Sequence, residues 1–148
     1  MDRVDATKRS AIMRSVRSKD TKPEMALRSA LHARGLRFRL HAKLLAGRPD
    51  IVLPRWRACI FVHGCFWHRH GCSMTTTPKS NEPFWNAKFR ANEERDRRAI
   101  ETLSRAGWRV LTVWQCGITG KGSVDACGAF VMDWLQRSDP VSEFPSRT

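Results

Sequence analysis

The sequence is short of acidic residues, and it contains no long hydrophobic run. Only 14 Asp and Glu stand against 27 Lys and Arg in 148 residues, which gives a formal net charge of +13 at pH 7 with neutral histidine. This charge exceeds what solubility requires, so the predicted partner is a polyanion, with nucleic acid as the first candidate. No apolar stretch approaches the roughly 20 residues of a membrane span, and the basic residues are spread along the whole chain. The composition therefore disfavours a membrane protein.

The amino-terminal sequence also lacks the features of a secretory signal. Its first ten residues, MDRVDATKRS, carry no hydrophobic core of the kind that a signal peptide needs. We therefore expect a cytoplasmic protein whose five cysteines stay reduced. Internal repeats are missing too, so residues 1–137 are predicted to form one domain, and the protein to be a monomer. The tail, 138–148, contains Pro and Ser and is predicted to be flexible.

Potential metal ligands are concentrated in residues 58–72, which read ACIFVHGCFWHRHGC. The apolar start predicts a buried strand over 58–63, and thiols and imidazoles follow it closely. The spacing of Cys65, His70 and Cys72 is typical of half a zinc site, and Cys116, at the end of a second apolar run, can supply the fourth ligand. The alternative is a loop with inert thiols and surface histidines.

A second site, for a harder metal ion, is predicted around Asp50. Asp50 begins a predicted strand, and the strand 58–63 would bring the Val62 carbonyl and His63 towards it. A carboxylate, a carbonyl and water molecules suit Mg²⁺, although an Asp in this position is also common as a turn cap. His63 and His68 lie outside the zinc set, and their ordinary pKa range suits proton transfer near neutral pH.

Three further titratable residues are less clearly assigned by sequence. Glu24 ends the capping box TKPE at the start of a predicted helix, and the local sequence does not separate that role from one at a metal site. His32 and His41 are predicted to be surface histidines.

Periodicity and turn signals predict a mixed α/β fold with helices on a central sheet. Helices are predicted over 22–34, 82–106 and 123–137, and strands over 36–40, 50–53, 58–63 and 108–114. Tight turns join the first three strands, which favours an antiparallel meander. A long helix joins the last two strands, which favours a parallel βαβ unit. Both groups of zinc ligands should then leave the same edge of the sheet.

Two basic segments are predicted to contact DNA. Residues 1–20 have the apolar spacing of a short amphipathic helix that carries Arg14 towards DNA, but they could equally form a solvated helix packed by their own apolar residues. The long helix 82–106, with Asn81 as its cap, has a thin inner stripe and a basic surface that includes Lys88. The surest members of that inner stripe are Ala91, Ile100 and Leu103.

Four large aromatic residues stand beside polar or glycine-rich sequence. They are Phe66, Trp67, Phe84 and Trp85. Such residues could be exposed wedges that enter a base stack, or they could fill the core, as aromatic pairs usually do. The sequence pattern alone leaves both interpretations open.

With these residues laid out, the chain closely resembles the very-short-patch repair (Vsr) endonucleases, which nick DNA at mismatches in bacteria. The similarity runs from about Lys8 to Trp134 and rests on MRSVRSKDTKPE, GRPDIVL, IFVHGCFWHRHGC, FWNAKFRANEERDRR and GWRVLTVWQC. The resemblance implies a restriction-endonuclease-like core of the PD-(D/E)xK type with a structural zinc ion. It also implies Mg²⁺-dependent cleavage 5′ to the thymine of a T:G mismatch, the product of 5-methylcytosine deamination, and a nucleoid-associated location.

The resemblance also suggests a role for individual residues. Asp50 resembles the metal-binding catalytic aspartate, with the Val62 carbonyl as a second ligand, and Glu24 resembles an assisting carboxylate. His63 and His68 match the catalytic histidines. The zinc ligands match Cys65, His70, Cys72 and Cys116, and the intercalating residues match Phe66, Trp67 and Trp85. The chain departs from the family at Val62, where a threonine is expected, and at Gln115, where a glutamate is usual.

The competing interpretation is a zinc-dependent nucleic-acid-binding module without catalytic activity. Asp50, His63 and His68 distinguish the two, because a module that only binds DNA has no use for them. The sequence leaves open whether other repair proteins take part.

Overall fold

The structure, a computed structural model, describes residues 20–119 and 123–146. The predicted helix in residues 1–20, including Arg14, lies outside the described residues apart from Asp20. The helices are α1 (Lys22–Ala33), α2 (Cys65–His68), α3 (Glu82–Arg105) and α4 (Val124–Gln136). The strands are β1 (Arg39–Leu40), β2 (Ile51–Leu53), β3 (Ala58–His63), β4 (Arg109–Trp114) and β5 (Val141–Phe144).

The strands form one mixed five-stranded sheet in the order β1-β2-β3-β4-β5. β1, β2 and β3 pair antiparallel, and β3, β4 and β5 pair parallel. The predicted meander and the predicted parallel βαβ unit are both confirmed. Helix α3 provides the long crossover that a parallel pair of strands requires.

The central strands β3 and β4 are apolar on both faces, and each face has its own core. On one face, Ile60 and Leu111 pack with α1 and α4 through Leu27, Val131 and Trp134. On the other face, Cys59, Phe61 and Val110 pack against Ala99 and Leu103 of α3. Alternate strand residues point to opposite faces, so these near-continuous apolar runs fill both cores.

The predicted capping box at the start of helix α1 and its predicted end before Gly35 are both confirmed. The Glu24 N–H donates to the Thr21 side chain at the start (3.4 Å). At the end, the N–H of Gly35, at φ +92°, bonds the His32 carbonyl, and the N–H of Leu36 bonds the Leu31 carbonyl. This Schellman ending uses the Leu36 N–H and so excludes Leu36 from the sheet, and the predicted strand 36–40 is observed as Arg39–Leu40.

Two predictions for α3 are wrong in detail, although its bounds agree with the prediction. Asn81 stands at the helix start in a left-handed conformation (φ 56°) and its side chain makes no capping bond. The buried stripe is Trp85, Phe89, Asn92, Ala99 and Leu103. Ala91, which was predicted to belong to the inner stripe, is exposed and directly precedes the buried Asn92.

The predicted flexible tail is also wrong for residues 138–146. Val141–Phe144 form β5, which pairs with β4, and Phe144 packs on Phe130 with ring centroids 4.8 Å apart. The Trp114 indole N–H donates to Glu143 (3.0 Å). Four residues beside Pro and Ser carry too little periodicity to be read as a strand, and their partner strand supplies the order.

Among the described residues, no helix combines the length and the apolar character needed to cross a bilayer.

Candidate catalytic cavity and metal-ligand cluster

The register of β3 and β4 determines where the candidate site lies. His63, the last residue of β3, pairs with Trp114, the last residue of β4. The chain segments that follow, α2 and the 3-10 turn Gln115–Gly117, therefore leave the sheet side by side. This places Cys65 and Cys116 near one another, as the predicted parallel arrangement requires.

All four predicted zinc ligands come together. The ligand atoms of Cys65, His70, Cys72 and Cys116 lie within 4.8 Å of one another. His70 Nδ1 is 3.4 Å from Cys116 Sγ and 3.9 Å from Cys65 Sγ. A tetrahedral zinc ion with ordinary bond lengths places its N and S ligands roughly 3.5–3.8 Å apart, so these two distances are near the values that a bound zinc ion requires.

His70 is oriented by a residue of the supposed tail. Its Nε2 donates to the Pro145 carbonyl (3.0 Å), and its ring stacks on Trp114 at 4.5 Å. Because a carbonyl can only accept, Nε2 must carry the proton, and Nδ1 is left with a lone pair that faces the thiols. A second hydrogen bond of this kind is how metal-binding histidines are usually fixed.

The three thiols of the cluster differ in acidity. Burial raises the pKa of Cys65 to about 12, and burial likewise raises the pKa of Cys116. Burial also acts to raise the pKa of Cys72, but its hydrogen-bond contacts with His70, the Met74 backbone, Thr75 and Cys65 together outweigh burial and lower that pKa to about 6. A bound metal ion would favour the thiolate form of all three.

A cavity of about 480 Å³ beside this cluster is lined by three of the four predicted catalytic residues, namely Asp50, His63 and His68. Asp50 reaches across the open edge of β3, where its Oδ2 accepts from the Val62 N–H (2.7 Å). A strand residue directs its N–H and its carbonyl to the same edge, so the Val62 carbonyl leaves β3 on the side of Asp50. The predicted pairing of Asp50 with the Val62 backbone is therefore present in the fold.

Asp50 and Glu24 form a carboxylate pair. Burial raises the pKa of Asp50 to about 7; the Val62 N–H opposes this increase, whereas Glu24 adds to it through its charge and a hydrogen bond. Glu24 is only 1% exposed. Two buried carboxyl groups in contact favour a shared proton or a bound cation. The structure therefore brings Glu24 to the site, in addition to its place in the first turn of α1.

The prediction that His41 is a surface histidine is wrong. Its Nε2 lies 2.8 Å from Glu24 Oε2 and 3.7 Å from Asp20 Oδ1. Arg28 joins the same group, 2.8 Å from Asp20 and 3.7 Å from Glu24. Antiparallel pairing of β1 with β2 places His41 opposite Asp50, and this register was the signal that could have revealed it.

Asp96 is a second residue that the sequence analysis missed. His63 and His68 stack with ring centroids 3.8 Å apart, and Asp96 Oδ2 lies 2.6 Å from His68 Nδ1 and 3.9 Å from His63 Nδ1. Asp96 follows Asn92 by one helical turn and precedes Ala99 by another, so helical spacing already placed it on the inner face of α3.

The aromatic residues divide between the two interpretations that the sequence left open. Trp85 is 4% exposed and belongs to the core, whereas Phe84 is 43% exposed. Phe66 and Trp67 are half-buried, and their ring centroids lie 5.0 Å apart and 5.8–5.9 Å from Trp85. The side chains predicted to intercalate therefore pack on one another. Lys88 is half-buried on α3, one turn after Phe84.

Comparison with known proteins gives consistent matches. A sequence model of the family described as DNA mismatch endonuclease Vsr matches residues 1–74. Type II nicking enzyme V.XorIIP of Xanthomonas oryzae pv. oryzae is 50% identical over 125 residues, covering 84% of this chain and 92% of that protein. DNA mismatch endonuclease Vsr of Escherichia coli K12 is 45% identical over 117 residues, covering 79% and 75%. Type II nicking enzyme V.NmeAIP of Neisseria meningitidis is 42% identical over 115 residues, covering 78% and 82%.

The four-ligand cluster leads to a prediction about metal content. The protein should contain one zinc ion per chain, and Cys116→Ala should lose it and become prone to unfolding, because the site joins two loops across the sheet edge. Cys127→Ala is the matched control, since Cys127 is buried in the core outside the cluster. Metal analysis and thermal unfolding measure both effects. Tight one-to-one zinc binding in Cys116→Ala would contradict the assignment.

The raised pKa of Asp50 leads to a prediction about stability and pH. The protonated carboxyl contributes stability that is complete below the ordinary pKa of 3.8 and is lost as the pH rises through about 7. Asp50→Asn keeps an acceptor for the Val62 N–H without the charge. It should therefore increase the free energy of unfolding at pH 8 by about 1–3 kcal/mol, and the gain should vanish towards pH 4.

This experiment uses urea unfolding of the zinc-loaded protein without added magnesium. Asp133→Asn, which changes an exposed carboxylate on α4, is the control and should show no such gain. A gain for Asp50→Asn that is the same at both pH values would mean that the charge of Asp50 does not oppose folding.

Proposed function

The chain belongs to the Vsr family of DNA mismatch endonucleases, and from this premise we propose that it nicks one strand of duplex DNA 5′ to the thymine of a T:G mismatch, in a reaction that needs Mg²⁺. The observation that carries the proposal is the cavity in which Asp50, His63 and His68 meet. A protein that only bound DNA would gain nothing from a buried carboxylate at this point, because the charge repels phosphate. The non-catalytic alternative is disfavoured for this reason.

The donor atoms around Asp50 suit a hard cation. Asp50, the neighbouring Glu24 and the Val62 carbonyl offer only oxygen, which is what Mg²⁺ prefers. When bound there, Mg²⁺ would stabilise the negative charge that develops on the phosphate during cleavage. The raised pKa of Asp50, caused first by burial and further by the charge of Glu24, supports the proposal, because a divalent cation would stabilise both carboxylates in their ionised form.

The histidine pair supplies the proton transfer in this proposal. Asp96 accepts a hydrogen bond from His68 Nδ1, so Nε2 of His68 is the nitrogen left to exchange a proton with the attacking water or the leaving oxygen. Asp96 acts as a positioning residue, because it fixes the orientation and tautomer of the ring. Stacking with His63 restrains the ring further.

The scaffold is proposed to be the restriction-endonuclease type with a structural zinc ion. In support, Asp50 immediately precedes β2, its backbone partner Val62 lies in the adjacent antiparallel strand β3, and the four-ligand cluster follows β3 directly. The zinc ion would fix the loop that carries Phe66, Trp67 and His68. Substrate contact and catalysis would thus depend on one small rigid segment.

A nicking assay tests the proposal. A duplex with one T:G pair should be cut in the thymine strand, 5′ to the thymine, faster than duplexes with other mismatches or full pairing, and only with added Mg²⁺. Asp50→Ala should lose nearly all activity and keep its affinity for the T:G duplex, because a carboxylate near phosphate does not favour binding without the metal. The control is Asp133→Ala.

Magnesium should be omitted in the negative arm rather than chelated, because a chelator would also remove zinc. Cutting without Mg²⁺, equal cutting of all duplexes, or cutting by Asp50→Ala at more than about a tenth of the parent rate would each contradict the proposal.

Mismatch preference is proposed to come from the aromatic residues of the zinc loop and α3. Phe66 and Trp67 are the half-buried members, and Trp85 can enter a base stack only if its packing in this cluster opens. Unstacking a base step costs a few kcal/mol, and an aromatic face returns about 1–3 kcal/mol per base. The exchange is favourable only where pairing is already weak, as at a mismatch.

Trp67→Ala tests this step. It should weaken binding to T:G duplex by about 1–3 kcal/mol and leave binding to fully paired DNA nearly unchanged, because that binding depends on phosphate contacts. Trp56→Ala is the control, since Trp56 precedes β3 and lies at the opposite end of the sheet from His63. Both affinities are measured at one salt concentration, with circular dichroism to check folding. Equal losses on the two duplexes would remove Trp67 from mismatch recognition.

A further inference from the structure

Three of the five arginines of α3 are paired on the solvent face of the helix, namely Arg97, Arg98 and Arg105. Glu94 Oε1 lies 2.6 Å from Arg97 and 3.0 Å from Arg98, and Glu101 lies 3.0 Å from Arg97 and 2.5 Å from Arg105. These helical ion pairs neutralise much of the positive charge on that face.

Arg95 of α3 differs from these three arginines, and it lies close to Arg48 of the β1–β2 loop. Both side chains are exposed, and neither makes an ion pair or hydrogen bond with an acidic residue in the part of the chain that the structure describes. Both line the catalytic cavity and also a neighbouring cavity of about 560 Å³. Two guanidinium groups that have no carboxylate partner among the described residues therefore lie on the boundary between the two cavities.

The loop that carries Arg48 is held firmly against α3. A Cβ atom on Gly47 would lie 2.5 Å from the Ala99 Cβ and 3.1 Å from the Phe61 ring, so the loop backbone packs directly on this surface. The Arg48 N–H donates to the Leu45 carbonyl (3.0 Å), and Pro49 is buried. Ala99 lies one helical turn after Arg95, so the contact of Gly47 with Ala99 keeps the backbone of Arg48 near that of Arg95.

We propose that Arg48 and Arg95 form a phosphate subsite that binds the DNA phosphate next to the cleaved one, on the same strand. The inference rests on the proposed function, which places the cleaved phosphate in the cavity with Asp50. A strand whose phosphate lies there and continues into the neighbouring cavity must pass between these arginines. The guanidinium group suits this role because its planar fork matches phosphate oxygens, and its charge persists at any working pH.

The test removes the charge from single phosphates. T:G duplexes carry a neutral methylphosphonate at the 5′ or at the 3′ neighbour of the cleaved phosphate, and binding is measured without Mg²⁺. The parent protein should bind one of these two duplexes roughly tenfold more weakly than the unmodified duplex. Arg95→Ala and Arg48→Gln should bind unmodified DNA roughly tenfold more weakly than the parent does. For each variant, the methylphosphonate that weakens the parent should reduce the affinity little further, because the contact with that phosphate is already lost.

Matched controls come from the same helix. Arg97→Ala and Arg105→Ala remove arginines that are paired with Glu94 or Glu101, so they should bind like the parent and keep the full methylphosphonate effect. Because a phosphate contact carries no sequence information, Arg95→Ala should weaken matched and T:G duplexes by the same factor, and it should reduce the slope of log K against log[salt] by about 1.

The inference is overturned if Arg95→Ala and Arg48→Gln keep the parent's methylphosphonate effect at both positions, or if neither position affects the parent. It is also overturned if Arg97→Ala abolishes the effect as well. Arg95 is exposed on a helix, so its variant should fold even if Arg48→Gln does not. If the proposed function fails, the protein will show no preference for T:G duplex and no nicking. The dependence of the methylphosphonate effect on Arg48 and Arg95 can still be measured in that case, because it is read from binding.

Discussion

The parallel register of β3 and β4 is the constraint on which the candidate site depends. It pairs His63 with Trp114, so the two segments that carry the thiols leave the sheet together. The same register positions α3 as the crossover, and α3 brings Asp96 to His68. A slip of one residue would turn the alternate side chains to the wrong face and separate the cysteines. The cluster and the cavity are therefore two consequences of one strand pairing.

The local sequence was sufficient to predict a structural feature wherever the pattern for that feature lies within one segment. The capping box of α1, the apolar run of β3 and the spacing of Cys65, His70 and Cys72 all predicted features that the structure contains. The misses share a different cause. His41 and Asp96 owe their positions to contacts with distant segments, and β5 is ordered by β4, so no local window reports them. The PD-(D/E)xK character and the residue roles rest on family resemblance.

The candidate site contains negatively charged groups, whereas the protein as a whole is strongly positive. A chain with a net charge of +13 places two carboxylates in contact, Asp50 in the lining of the candidate cavity and the buried Glu24 beside it. His41 and Arg28 contact Glu24, so the cost of the pair is offset from the outer side. Asp50 itself accepts a hydrogen bond from the Val62 backbone N–H. Its pKa is nevertheless raised, chiefly by burial, so a bound cation would stabilise the ionised carboxylate.

The hydrogen bond from His70 to the Pro145 carbonyl has a consequence for how the protein matures in the cell. Chains emerge from the ribosome amino terminus first, so Asp50, His63 and His68 are exposed long before residue 145 is made. The fourth thiol, Cys116, and then the residue that orients His70 arrive late. A nascent chain consequently holds every proposed catalytic side chain while the segment that carries two of them is still unanchored. Unfinished chains should therefore lack the fixed geometry that the finished chain gives to this segment.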